Sequence, residues 1–275
     1  MNRIDQTFAD LRQEGRRALL PYLTAGDPDL DTTAALIPAM QKAGAAVCEI
    51  GIPFSDPIAD GPVIQASMSH ALEGGVRPQQ VLQMVADLRA ALTMGLIAMV
   101  SYSIVYRLGS GPFLKDLAAA GMDGVIIPDL PLEESVAMVD AARELNLVCI
   151  MMVAPSTAGD RARRIARASS GFVYVLARAG LTGERRAVPS QLTRRIEDLR
   201  QVTDLPMAVG FGIATRHHVT QVVNMADAAI VGSAIMRRIA DHRSLGRSVV
   251  VDQTARFVRE LAAGLDQDHP EEIDG

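Results

Sequence analysis

Short apolar runs alternate with amphipathic stretches along almost the whole chain. Runs rich in Val, Ile, Leu, Met and Ala at 18–23, 46–50, 96–101, 124–128, 147–153, 172–177, 207–209 and 228–231 predict eight strands, because short apolar runs bounded by turn formers suit strands buried on both faces. Between them, apolar positions three or four apart predict helices at 31–43, 78–91, 113–120, 132–144, 158–168, 190–201 and 216–225. Ala43-Gly44-Ala45 and Ala120-Gly121-Met122 read as helix stops followed by re-entry into a strand. Parallel neighbours need helical crossovers, and eight such units in this length predict an α/β fold of the (β/α)8 TIM-barrel type rather than an open sheet.

Additions are expected at the ends. Ile4, Phe8 and Leu11 give residues 4–14 a helical spacing suited to capping the bottom of the barrel, and 234–240 and 249–265 read as further helices after the eighth strand. No linker divides the chain, so residues 1–265 are expected to form one catalytic domain, and the acidic, polar tail 266–275 is expected to be disordered. A length of 275 residues is ordinary for such a barrel, and 49% hydrophobic residues suffice for its core. A net charge of −5 without a basic stripe argues against nucleic acid as partner. The segment 1–6 lacks an apolar signal core and no apolar run is long enough to span a membrane, so a cytoplasmic protein that engages no membrane is expected. Cys48 and Cys149 lie in apolar runs and read as reduced core residues.

The candidate chemistry centres on residues 47–61, VCEIGIPFSDPIADG. Glu49 stands at the end of the second strand and Asp60 in the stiff loop that follows, so the two carboxylates can meet over one pocket. Burial would raise the pKa of one while the loop keeps the other ionised, the separation that lets two acids divide acid and base work. The plainer reading makes them a solvated carboxylate and a helix cap. Asp129, Tyr174 and Thr182-Gly183 fall on the same rim. Asp129 also suits local bonding to loop amides or to Thr182, and Tyr174 also suits the core. Gly210-Phe211-Gly212 and Gly232-Ser233-Ala234, after the seventh and eighth strands, place small residues where backbone amides can approach a phosphate, with Ser233 opening a helix and Gly183 as a third contributor. Lysine occurs only at Lys42 and Lys115, both helical, so no strand-end amine is available for a Schiff base. His70, His217, His218, His242 and His269 do not converge on the rim, and no metal site is expected. Carbon–carbon cleavage here would need a substrate with its own electron sink. The arginine-rich segment 178–189 has the composition of a lid.

Glu49, the Pro53-Phe54-Ser55-Asp56-Pro57 run and Ala59-Asp60-Gly61-Pro62 closely resemble the signature of the tryptophan synthase α chain family. Gly26-Asp27-Pro28, Asp129-Leu130-Pro131, Thr182-Gly183, Val209-Gly210-Phe211-Gly212-Ile213 and Val231-Gly232-Ser233-Ala234-Ile235 match it in the same order. The resemblance implies a lyase of tryptophan biosynthesis that cleaves indole-3-glycerol phosphate to indole and glyceraldehyde 3-phosphate. In it Glu49 acts as acid and base, Asp60 bonds the indole N–H, and Met99, Ile126, Phe211 and Ile230 form an apolar slot with Tyr22 nearby. These four slot residues also suit the core. It further implies an α2β2 heterotetramer in which loops 53–60 and 101–108 face a β chain that holds pyridoxal phosphate, with no cofactor in this chain. After the third strand many members carry Tyr-Tyr-Asn-Pro, whereas this chain has Ser101-Tyr102-Ser103-Ile104. That departure keeps a free-standing indole-3-glycerol phosphate lyase in view as an alternative, beside a non-catalytic activating subunit.

Overall fold

The computed structural model describes residues 1–57, 60–177, 190–210 and 212–266; the 267–275 part of the expected tail lies outside them. Eight strands form the barrel: β1 (Ala18–Thr24), β2 (Val47–Gly51), β3 (Gly95–Met99), β4 (Gly124–Ile126), β5 (Val148–Val153), β6 (Val173–Leu176), β7 (Met207–Gly210) and β8 (Ala228–Val231). They pair in chain order, all parallel, and β8 closes on β1. The register sets Tyr22 beside Glu49 and Pro21 beside Val231. Nearly every strand residue is buried, as expected for strands covered by helices outside and packed side chains inside.

Twelve α-helices surround the barrel among the described residues: α1 (Arg3–Gln13), α2 (Leu30–Lys42), α3 (Pro62–Glu73), α4 (Pro78–Arg89), α5 (Tyr102–Leu108), α6 (Ser110–Ala119), α7 (Leu132–Glu144), α8 (Gly159–Ala168), α9 (Ser190–Arg200), α10 (Arg216–Val223), α11 (Ser233–His242) and α12 (Arg247–Ala262). Two of them correct the sequence reading. Helix α3 was not expected, although Pro62 occupies its first turn and Ile64, Ser67, Met68 and Ala71 form its buried stripe; a serine within the stripe weakens the apolar period. The expected 101–108 loop is instead helix α5, whose N-cap Ser101 accepts a hydrogen bond from the Ser103 N–H. Its seven residues are too few for periodicity to reveal. The third strand correspondingly ends at Met99 rather than at Ser101.

Helix α1 closes the bottom of the barrel, where the strands begin. Ile4 is fully buried and so close to Gly95 that a Cβ there would overlap it, while Phe8 meets Phe172 with ring centroids 5.6 Å apart. Asn2 Nδ2 donates to the carbonyls of Asp123 and Asn146. The Asp123 carboxylate joins this end together. It accepts from the Leu96 N–H at 2.8 Å, from Arg3 at 2.7 Å and from Arg89 at 3.2 Å, and Arg89 also donates to the carbonyls of Leu92, Met94 and Gly121. One carboxylate therefore ties α1, α4 and β3 to the start of β4. Asp123→Ala would leave the Arg89 charge without its partner and the buried Leu96 amide without its acceptor, and it should lower stability by about 3 kcal/mol. Urea denaturation with an unchanged m value checks this, and a loss under about 1 kcal/mol would mean that water replaces the carboxylate.

Candidate active site

At the other end, a cavity of about 560 Å³ opens at the C-terminal ends of the strands, a size suited to a small organic ligand. Glu49 and Asp60 both line it. Glu49 lies in the middle of β2 rather than at its end, and its side chain is sealed from solvent. Neither carboxyl oxygen has a hydrogen-bond partner among the described residues, and burial raises its pKa to about 8. Asp60 keeps partial exposure, although burial raises its pKa too. Its N–H donates to the Pro57 carbonyl, and its own carbonyl accepts from Gln65 at the start of α3. The loop is thereby fastened to the helix that follows it.

Tyr22 lines the cavity beside Glu49, and its hydroxyl belongs to a chain of three. Ser67 Oγ lies 2.7 Å from the Ile64 carbonyl and must donate to it. Its single proton being used, the 2.6 Å contact with Thr24 takes its proton from Thr24, and the 3.1 Å contact between Thr24 and Tyr22 takes its proton from Tyr22. The Tyr22 oxygen is left with acceptor capacity only. Gly51 makes room for this ring: a Cβ there would overlap the Tyr22 hydroxyl and lie 2.7 Å from its Cζ. Gly210 does the same for Tyr174, which also lines the cavity.

A further part of the wall, next to Tyr22, is built from Gly212, Gly232, Ser233 and Ala234. Gly212 has φ +78°, a conformation that favours glycine. Gly232 is the N-cap of α11 and Ser233 its first residue, so the first amides of that helix have no partner within the helix. Arg237, one turn further on, completes this wall. Met99 and Ile230 line the apolar part, joined by Met152 of β5 and Ile64 of α3.

A family profile described as tryptophan synthase alpha chain matches residues 8–266. The chain belongs to the tryptophan synthase alpha chain family. Its relative from Acaryochloris marina, a tryptophan synthase alpha chain, is 43% identical over 267 residues, covering 96% of this chain and 98% of the relative. Tryptophan synthase from M. tuberculosis superposes with a TM-score of 0.85 at 32% identity, covering 97% of this chain and 100% of that one. A tryptophan synthase complex from Pyrococcus furiosus gives 0.80 at 32%, covering 90% and 98%.

Some residues expected at the site of this α chain family member fall elsewhere. Ile126 does not line the cavity: it is the last residue of the three-residue strand β4 and is fully buried in the core, and Pro128 reaches the cavity in its place. Asp129 serves α5, accepting from Ser101 Oγ at 2.8 Å and from the Tyr102 N–H at 2.7 Å. Thr182, Gly183 and Phe211, and the expected lid 178–189, lie outside the described residues. Arg237, Met152 and Ile64 were missed. Arg237 was within reach of sequence reasoning, since it stands four residues after Ser233 and therefore on the same face of the helix. Met152 pairs with Tyr174 in the β5–β6 register, a relation that strand alternation alone does not fix.

Gly51→Ala should displace the Tyr22 ring and lower turnover by about 10²-fold, as small misplacements of a positioned group do. Steady-state kinetics on a variant with a cooperative melt checks it, and turnover within threefold of the parent would show that the ring can move harmlessly.

Proposed function

We propose that Glu49 and Asp60 divide the acid–base work of the α reaction, the retro-aldol cleavage of indole-3-glycerol phosphate to indole and glyceraldehyde 3-phosphate. The observation that carries this is the Glu49 carboxyl, sealed inside the barrel without a partner among the described residues and held largely protonated near neutral pH. Glu49 gives its proton to C3 of the indole ring, which becomes an iminium-like sink. The resulting carboxylate takes the proton of the glycerol hydroxyl next to the scissile bond. The bond breaks, its electrons return to the ring, and Glu49 ends protonated, as it began. Asp60, wetter than Glu49, accepts the indole N–H and stabilises the positive charge that builds on the ring.

Met99 and Ile230 contact the indole from the apolar wall, with Tyr22 and Tyr174 beside it, and Phe211 belongs to the same slot. Gly212, Gly232 and Ser233, with Thr182 and Gly183 from the sixth loop, hold the phosphate by backbone amides and the N-terminus of α11. Residues 1–265 act as one catalytic domain that needs no cofactor of its own. Its partner is a β chain carrying pyridoxal phosphate, docked through residues 53–60 and helix α5 in an α2β2 assembly of the cytoplasm; the P. furiosus relative is a tryptophan synthase complex. Among the described residues no helix is long and apolar enough to cross a membrane.

Glu49→Gln should lower indole release by ~10²-fold or more while substrate still binds; cleavage within tenfold of the parent would reject Glu49 as the acid. The parent's rate should fall above about pH 8 as the acid form is lost. The same shift sets a stability trend. Glu49 ionises near 4.5 when unfolded and near 8 when folded, so between these values only the folded state holds the proton, and stability falls as pH rises. The Gln variant lacks this penalty. It should melt above the parent at pH 8, with the gap closing towards pH 4.5, which calorimetry at the two pH values checks.

Asp56 bonds only its neighbour Ser55 among the described residues, on the loop assigned to the partner. Asp56→Ala should leave the isolated chain's activity within about twofold and reduce its stimulation by a cognate β chain about tenfold, the scale of a typical coupling between sites. Titration with the β chain decides it, and no complex with the parent would favour a free-standing lyase.

A further inference from the structure

We propose that Arg237 is a specificity-determining residue that makes the cavity selective for a doubly charged phosphate monoester. The proposal rests on reading the cavity as the indole-3-glycerol phosphate site. Three observations carry it. Arg237 lines the cavity beside Ser233 and Ala234, and it is the only cationic side chain on the described wall. It has no ion pair or hydrogen bond among the described residues, so its five donors are uncommitted, whereas its neighbour Arg238 packs over the Phe257 ring at 4.8 Å. Ser233 and Arg237 are four apart on α11, which puts hydroxyl, helix-start amides and guanidinium on one face.

Charge explains why the helix start alone falls short. The cavity already holds two carboxyl groups, Glu49 and Asp60. A phosphate monoester near neutral pH adds nearly two negative charges, since its second ionisation lies at about pH 6. The N-terminus of α11 offers the equivalent of about half a positive charge, which leaves most of the dianion uncompensated. Arg237 adds a full charge and a planar fork that fits two phosphate oxygens. A carboxylate or sulfonate of similar shape would meet the same amides but would use less of this pairing.

The experiment compares the parent chain with Arg237→Gln and Arg237→Lys. With indole-3-glycerol phosphate at pH 7.5, Gln should raise KM about tenfold and leave kcat within twofold, the signature of lost ground-state binding. Lys keeps a point charge and should restore most of the affinity. At pH 5.5, where the phosphate is largely a monoanion, the KM ratio of Gln to parent should shrink to about threefold or less. Inorganic phosphate titrated calorimetrically into all three proteins reads the same site without turnover and should bind the Gln variant about tenfold more weakly than the parent. A KM and a phosphate affinity within twofold of the parent for both variants would overturn the proposal. So would equal losses of kcat in both variants with unchanged phosphate affinity, which mark a structural role. A parent that binds phosphate in an Arg237-dependent way but does not cleave the indole substrate would reject the function proposed above and leave this inference standing.

Discussion

Burying the Glu49 carboxyl away from water with no hydrogen-bond partner among the described residues is costly whenever the group is ionised, so the barrel holds it at neutral pH mainly as the neutral acid. Much of the rim serves this condition. Tyr22, its register neighbour, has its proton drawn towards Thr24 and so offers Glu49 no donor that would favour the carboxylate. Asp60, the second acid, stands on a loop fastened to α3 and keeps contact with water, so the two carboxyls have different environments. The phosphate site proposed above lies at the start of α11, which adjoins the Tyr22 ring.

The two ends of the barrel solve different problems. At the bottom, Asp123 has its charge answered by Arg3, Arg89 and the Leu96 amide, and α1 covers the core. At the top, Glu49 is left unanswered. Groups with complete partners contribute stability, and a group without any stores the capacity to react. The paired carboxylate below helps to offset the desolvated acid above within one closed sheet.

Most of the fold was legible because strand burial leaves a strong mark: eight apolar runs coincide with eight strands, and Ala228–Val231 agrees at both ends. What escaped was whatever depends on contacts rather than on pattern. Helix α3 hides because Ser67 sits in its buried stripe to bond Thr24, a role that interrupts the apolar period. Helix α5 is too short to show a period, and its start is held by Asp129 from another loop. In the site, Glu49 and Asp60 stood out by motif, but the absence of partners around Glu49 among the described residues is a property of three dimensions. Ile126 was expected in the slot from its place on the rim, yet it is fully buried in the core and Pro128 lines the cavity instead.

The hydroxyl chain from Tyr22 through Thr24 and Ser67 ends on the Ile64 carbonyl, which has no proton to give and no way to pass one on. For protons it is a blind alley, however well its oxygens are aligned. Any exchange of the Glu49 proton must therefore occur through the open mouth of the cavity or through the bound molecule itself. An occupant that fills the mouth isolates that proton from bulk water, and isotope carried in by the acid would then remain with the occupant for as long as it stays in place.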